Sequence, residues 1–238
     1  MLFPYSDENP SNSQPFVLQT IVAINVAVFL FQLYLSAFGL LPQFFQTYAV
    51  IPAREFSNFN QVISGQIGLI PTLLFPIFAA MFMHGGFFHI IGNMLFLWIF
   101  GDNIEDVMGH VKFLMFYLLC GIGATAAQIV SDPASIIPNI GASGAIAGVL
   151  GAYLINFPKA RVKAIFLLGF IPIKLRIPAL FYLGWWFVQQ AFYSVLSLDD
   201  QVNMGTGGVA YWAHAGGFVF GVLLVKFFMT KQNPKALF

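Results

Sequence analysis

Long apolar runs are the feature that most constrains the fold of this 238-residue chain. Hydrophobic residues make up 59% of the sequence and charged residues only 8%, whereas a soluble globular domain carries about 25% charged residues. A helix rises about 1.5 Å per residue, so about 20 consecutive apolar residues cross the hydrocarbon core of a bilayer. The composition therefore predicts an all-α polytopic membrane protein without a soluble domain.

The apolar pattern predicts a membrane domain at 16–229, flanked by short tails at 1–15 and 230–238. The six predicted spans are 16–38, 87–100, 111–130, 143–157, 178–196 and 209–229. A polar stretch around Glu105 and His110 is interpreted as a solvated turn after the second span. The stretch 164–177, which is broken by glycine and proline, is expected to lie at the membrane interface.

The connection at 39–86 contains a segment, 67–83, that is apolar enough to be mistaken for another span. Pro71 and Pro76 argue against an uninterrupted helix there, because proline removes a helical hydrogen bond and clashes with the preceding turn. The sequence therefore predicts a first loop that is embedded in the membrane rather than a seventh span.

The basic residues support six spans and orient them. With the N-terminus in the cytoplasm, nine of the ten Lys and Arg residues fall on the cytoplasmic side, and only Arg54 falls outside. This asymmetry is what the positive-inside rule requires. A seventh span at 67–83 would move the later basic clusters to the other side. The net charge of +1 gives no reason to expect a nucleic-acid partner, whereas the lipid bilayer is an expected one.

Ser143 and His214 begin two separate predicted spans, where polar side chains are costly and mark function. A serine is a weak nucleophile until a histidine within about 2.6–3.2 Å takes its proton. The alternatives are a helix N-cap for Ser143 and a backbone hydrogen bond for His214. Small residues that would let the two helices approach closely stand on both of them: Gly144, Gly148, Gly217 and Gly221. This packing pattern favours a contact between the serine and the histidine.

An aspartate that could orient His214 is missing from the pattern. The candidates in the outer loops are Asp132, Asp199 and Asp200, and none has a helical spacing that aims it at the histidine. The sequence therefore predicts a Ser-His dyad rather than a triad.

His89 and Asn93 are four residues apart and project from one face of the second span. With the backbone N–H of Ser143 they could stabilise an oxyanion, and each such donor contributes about 3 kcal/mol. The alternative is a pair that holds helices together through hydrogen bonds. His84 lies on a different face and either shapes the loop or supports the site. The histidine spacing fits no metal motif and no phosphate loop is present, so no metal and no cofactor are predicted.

These motifs resemble those of the rhomboid intramembrane serine proteases, and the resemblance extends over about residues 16–229. Three blocks carry it, in matching order and on matching spans: His-Gly-Gly-Phe-Phe-His-Ile-Ile-Gly-Asn-Met at 84–94, Gly-Ala-Ser-Gly-Ala at 141–145 and Ala-His-Ala-Gly-Gly at 213–217. The resemblance implies a six-transmembrane-helix bundle of the prokaryotic type. It also implies Ser143 as nucleophile, His214 as base and then acid, and an oxyanion hole formed by His89, Asn93 and the Ser143 amide.

Further positions match the family, and one departs from it. Gly141 and Ala142 match the residues before the nucleophile, and Gly217 and Gly221 match the close-packing glycines. Ala147 stands one turn after the serine, where family members place an aromatic residue against the histidine ring. The resemblance therefore leaves the support of His214 unexplained.

The function expected from these residues is that of an intramembrane serine endopeptidase acting on transmembrane segments of other membrane proteins. The alternative is a rhomboid-like pseudoprotease that binds or escorts transmembrane helices; such proteins lack the serine or the histidine, and both are present here. A transporter would favour an internal repeat, which the sequence does not show. The expected location is a prokaryotic plasma membrane, with both termini in the cytoplasm, and an organelle membrane is the alternative.

Overall fold

The apolar runs form helices in the computed structural model, which describes residues 2–197 and 210–230. Helices satisfy their own backbone hydrogen bonds, as a lipid environment requires. The described helices are α1 (Phe16–Ala37), α2 (Leu41–Tyr48), α3 (Pro52–Ile63), α4 (Ile70–Ala80), α5 (Phe87–Met108), α6 (His110–Ser131), α7 (Ser143–Asn156), α8 (Ala179–Leu196) and α9 (Tyr211–Phe228), with a 3₁₀ turn at Ile67–Leu69. The strands are β1 (Leu2–Asp7), β2 (Arg161–Leu168) and β3 (Ile171–Pro178).

Four of the helices in the described ranges, α1, α5, α6 and α9, are long and apolar enough to cross a membrane. Helix α7 is apolar but has 14 residues, and α8 has 18. These six helices correspond to the six predicted spans, so the helical, rhomboid-like membrane bundle is confirmed. Residues Gly144 to Tyr153 of α7 are all buried, as expected for a helix that is apolar on every side.

The first loop is built from short helices. Helix α4 has Pro71 in its first turn and Pro76 inside, and it ends at Ala80 after 11 residues. That length is about half of what a bilayer requires. The apolar segment in this loop is therefore a short helix and not a seventh span.

The predicted end of the second span at residue 100 is wrong, because α5 continues to Met108. Glu105 is fully buried and accepts hydrogen bonds from the N–H groups of Val17 at 2.9 Å and Leu18 at 2.8 Å. Its carboxylate also lies 2.5 Å from His110. A carboxylate at a helix N-terminus satisfies unpaired N–H groups and complements the helix dipole. The stretch interpreted as a solvated turn is thus the last turn of α5 and the start of α6, and Glu105 ties it to α1.

A three-stranded antiparallel sheet in the order β1-β2-β3 covers one end of the bundle. The sequence pattern does not predict this sheet. Strands β2 and β3 form a hairpin across the stretch expected at the interface, and Gly169 adopts a φ of 61° between them. Residues 2–7 of the predicted N-terminal tail pair with β2, more than 150 residues away along the chain. Beyond residue 230 the predicted C-terminal tail lies outside the described residues.

The two ends of the bundle are chemically different. At the sheet end, Thr230 after α9 donates to the carbonyl of Val107 near the end of α5, at 2.6 Å. At the opposite end, called the site end below, the side-chain amide of Gln32 in α1 exchanges two hydrogen bonds with the backbone of His84, at 2.8 and 3.0 Å. The predicted site residues on α5, α7 and α9 all lie in the turns that begin at the site end.

Candidate active site

Helices α7 and α9 are in backbone contact. A Cβ added to Gly217 would lie 2.1 Å from the carbonyl oxygen of Gly144, and one added to Gly221 would lie 2.0 Å from that of Gly148. Only glycine fits these two positions on α9 without displacing a main chain. The small residues expected at this helix pair therefore lie in the contact itself.

Ser143 and His214 meet at the site end of this contact. The Oγ of Ser143 lies 2.7 Å from the Nε2 of His214. Both residues stand in the first turns of their helices, and both are half-buried. The distance falls within the range of about 2.6–3.2 Å in which a base can take a hydroxyl proton.

The other ring nitrogen of His214 contacts a residue that sequence analysis missed. The Oε1 of Gln190 in α8 lies 2.7 Å from Nδ1 of the histidine. The ring of Trp186, one turn earlier on α8, lies 6.0 Å from the imidazole. Ala147 is fully buried and carries no aromatic ring, so the support of His214 comes from α8. The available signal was the Gln189–Gln190 pair, because polar residues are unusual within an apolar span.

Of the aspartates considered for this orienting role, the one in the described part of the chain does not provide it. Asp132 follows directly after α6 and makes no hydrogen bond with His214. Asp199 and Asp200 lie outside the described residues.

His89 directs its Nε2 edge toward Gly141, two residues before Ser143. The backbone N–H of Gly85 donates to Nδ1 of His89 at 3.3 Å, so in the neutral ring the proton belongs to Nε2. A Cβ added to Gly141 would lie 2.9 Å from this Nε2 and 3.6 Å from the Ser143 Oγ. His89 thus brings a hydrogen-bond donor to the backbone that precedes the serine, and both side chains line one cavity.

Asn93 and His84 carry polar atoms without partners among the described residues. The Nδ2 of Asn93 is buried and makes no hydrogen bond, and the same holds for both ring nitrogens of His84. The His84 ring packs edge-on against His89, with 5.1 Å between their centroids. Asn93 thus offers an unused donor on the same helix face as His89, while His84 lies behind that histidine.

The first loop positions the chain that leads into α7. Val50 and Asn139 form an isolated antiparallel bridge with hydrogen bonds of 3.2 and 2.7 Å, and the N–H of Gly141 donates to Ala80 at 2.9 Å. Gly141 has a φ of 129°, where an L side chain would be strained. Ala142 is fully buried at the N-cap of α7. Hydrogen bonds from two parts of the first loop therefore hold the chain that leads to the serine.

Two cavities adjoin Ser143. The larger has a volume of about 640 Å³ and is lined by residues that include all four proposed catalytic side chains: His89, Asn93, Ser143 and His214. The smaller, of about 40 Å³, lies beside Thr125, Gln128 and Asn139. A volume of about 10–15 Å³ on this measure holds one water. The site can therefore hold a substrate segment on one side of the serine and water on the other.

The chain is similar in sequence to proteins of a known family. A family model described as a Rhomboid domain matches residues 71–231. The chain is 30% identical over 159 residues to the human "Presenilin-associated rhomboid-like protein, mitochondrial", which covers 66% of this chain and 38% of that protein. It is 29% identical over 229 residues to "Rhomboid protein 1, mitochondrial" of Saccharomyces cerevisiae, covering 93% and 54%. With "RHOMBOID-like protein 1" of Arabidopsis thaliana the identity is 24%, covering 92% and 54%. The chain thus matches between two fifths and about half of the length of these relatives.

Proposed function

Because the chain belongs to the rhomboid family, we propose that it is an intramembrane serine endopeptidase that cleaves transmembrane segments of other membrane proteins. Family membership supports intramembrane proteolysis in general. The serine mechanism rests on one observation above all, the 2.7 Å contact between Ser143 Oγ and His214 Nε2 inside a bundle of membrane-spanning length.

The first half of the proposed reaction forms an acyl-enzyme. Ser143 Oγ attacks the scissile carbonyl carbon while its proton moves to Nε2 of His214, and the carbonyl π electrons move onto oxygen. When this intermediate collapses, the C–N bond breaks and the leaving nitrogen takes the proton from Nε2. The substrate is then joined to Ser143 as an ester.

The oxyanion would be held by three donors. The N–H of Ser143 is in the first turn of α7, where backbone N–H groups have no intrahelical acceptor. His89 offers its Nε2 proton, and Asn93 offers the Nδ2 group that has no partner among the described residues. Removing one donor of this kind costs about 10²–10³ in kcat.

The second half of the reaction requires water. A water molecule attacks the ester carbonyl as His214 takes its proton, and Ser143 leaves with that proton. The cavity of about 40 Å³ beside Ser143, with Gln128 and Thr125 on its wall, supports such a supply of water within a bundle that hydrocarbon surrounds.

The substrate must present an unwound segment. A peptide carbonyl inside a helix is bonded to the N–H four residues later and is not free to enter an oxyanion hole. Glycine and proline weaken helices by about 1 and 3 kcal/mol relative to alanine. We therefore expect membrane helices with such residues near the cleavage site to be cut faster than uniform leucine helices.

The protein is an integral multi-pass membrane protein, and we propose an orientation for it. Lys163, Lys174 and Arg176 lie on the strands at the sheet end, so this end faces the compartment from which the protein is inserted. Two of the relatives carry "mitochondrial" in their names. Those names do not fit the sequence-based prediction of a prokaryotic plasma membrane.

The test compares cleavage of a fluorescent transmembrane reporter in liposomes by the wild type, Ser143→Ala and His214→Ala. A fluorophosphonate probe, which labels activated serines, is applied in parallel. Ser64→Ala is the matched control, because Ser64 lies in the first loop and bonds only to Asn60. We expect the first two variants to lose cleavage and labelling, while the control keeps both.

Cleavage that survives Ser143→Ala would overturn the serine mechanism. A wild-type protein that neither cleaves a varied reporter panel nor reacts with the probe would instead support the pseudoprotease alternative. Thermal melting of each variant separates loss of chemistry from loss of the fold.

A further inference from the structure

The amide of Gln190 stands where a Ser-His-Asp triad has its carboxylate. We infer that Gln190 is a positioning residue that fixes the tautomer and the ring orientation of His214. This inference deepens the proposed function and rests on it. The consequence is a site in which a neutral amide on α8 completes a dyad formed by α7 and α9.

The tautomer follows from the chain of hydrogen bonds. An amide oxygen can only accept, so the contact of 2.7 Å between Gln190 Oε1 and Nδ1 requires the imidazole proton on Nδ1. The Nε2 lone pair then points to the Ser143 hydroxyl, also at 2.7 Å. If the amide nitrogen faced Nδ1 instead, the proton would lie on Nε2, and His214 could not receive the serine proton.

Ring packing restricts the histidine to the plane that makes both contacts. Trp186 and Gln190 are four residues apart and lie on one face of α8. The Trp186 ring is tilted by 35° at 6.0 Å from the imidazole, and Tyr211 approaches it edge-on at 6.4 Å. A ring packed against two aromatic side chains loses little further freedom when it accepts the serine proton.

Helix α8 is itself tied to α9 on both sides of Gln190. Phe187 stacks on Phe218 with 4.6 Å between centroids, and Tyr193 stacks on Tyr211 at 5.2 Å. These pairs stand three residues before and three residues after the glutamine. The amide and the histidine therefore belong to one packed unit.

A neutral partner has a chemical consequence. An aspartate both orients the imidazole and stabilises the imidazolium that forms during attack, whereas an amide only orients it. His89 and Tyr211 are the titratable groups near His214 in the described part of the chain, and neither carries a negative charge at neutral pH in its ordinary state. Among the described residues, a carboxylate introduced at position 190 would be the first anion facing the ring.

The experiment uses three variants of the full chain in liposomes. Gln190→Met keeps the length of the side chain but has no strong acceptor, and Gln190→Glu adds the charge. Gln189→Met is the matched control, because Gln189 lines the same cleft between α5 and α8 as Gln190 but makes no hydrogen bond with His214. The readouts are kcat, KM, the pH profile and the ¹⁵N chemical shifts of the histidine ring, assigned by comparison with His214→Ala.

We expect Gln190→Met to lower kcat by about 10- to 1000-fold with KM nearly unchanged, below the about 10⁴-fold loss that a wrong tautomer causes in a triad. Its Nδ1 and Nε2 signals should report a mixture of tautomers, whereas the wild type shows a protonated Nδ1. Gln190→Glu should move the acidic limb of the kcat/KM profile upward by about 1 pH unit, since an opposite charge favours the imidazolium. Gln189→Met should match the wild type in all of these.

Wild-type kcat and an unchanged tautomer in Gln190→Met would overturn the inference while leaving the dyad intact. A wild type without any cleavage would overturn the proposed function instead. The ¹⁵N shifts still decide in that case whether Gln190 sets the tautomer, because they require no substrate. An acidic limb that stays in place in Gln190→Glu would also contradict the assigned contact.

Discussion

Gly217→Ala tests whether the backbone contact between α7 and α9 sets the distance between Ser143 and His214. The added Cβ would lie 2.1 Å from the carbonyl oxygen of Gly144. Non-bonded atoms pack with optimal separations of about 3.5 Å, so the two helices must separate by about 1 Å even if the contact remains tight. Since Gly217 is three residues from His214, this displacement reaches the dyad almost undiminished.

The expected effect on activity is large. Widening the contact of 2.7 Å between Oγ and Nε2 by about 1 Å takes it beyond the limit of about 3.2 Å for proton transfer. A misplacement of about 1 Å costs about 10² in rate, and overpacking of this kind destabilises by about 1–3 kcal/mol. We therefore expect kcat/KM for the reporter to fall at least about 100-fold, with a modest loss of thermal stability.

Gly184→Ala is the matched control, because a Cβ at this helical position would have no atom within 4 Å. Alanine is favoured over glycine in a helix by about 0.5–1 kcal/mol, so this variant should be as active and as stable as the wild type. The proposed role of the α7–α9 contact would be refuted if Gly217→Ala kept kcat/KM within about twofold of the wild type and its melting temperature did not change. If Gly217→Ala does not fold, Gly221→Ala places a comparable clash, 2.0 Å from the carbonyl oxygen of Gly148, one turn further from the dyad.

Two further predictions concern the sheet end. In Glu105→Gln one side-chain oxygen still accepts from the N–H of Val17 or Leu18, but an NH₂ group faces the remaining N–H. We therefore expect the free energy of unfolding, measured by chemical denaturation, to fall by about 2 kcal/mol. Unchanged stability would contradict the capping role of Glu105. Burial raises the pKa of Asp7, which accepts a hydrogen bond from Tyr153, to about 6. The folded protein then holds this proton more tightly than the unfolded chain, so the contribution is present below pH 4 and lost as the pH rises through 6. Melting temperatures at pH 5 and 7.5 should therefore differ less in Asp7→Asn than in the wild type, and equal differences would exclude this carboxyl as the cause.

The sequence alone was sufficient for the membrane helices and for selecting Ser143 and His214 as the candidate dyad. Bilayer thickness imposes a length on every spanning segment, so an apolar run can be interpreted without knowing its neighbours. Ser143 and His214 can also be selected without knowing their neighbours, because polar side chains are rare within membrane spans. The pattern was misleading at Glu105, because this carboxylate is buried only where the N–H groups of α1 donate hydrogen bonds to it.

Contacts between residues that are distant along the chain could be seen only in the tertiary structure. Strand β1 pairs with a hairpin more than 150 residues away, and no local periodicity encodes such a partner. Gln190 is one of two adjacent glutamines, and only the rotation of α8 about its axis brings its amide, rather than that of Gln189, to His214. Periodicity reports which side of a helix is apolar, whereas the packing of side chains determines which atom faces which. The two residues of the proposed dyad could therefore be selected from the sequence, whereas the amide that contacts His214 became visible only once the helices were packed.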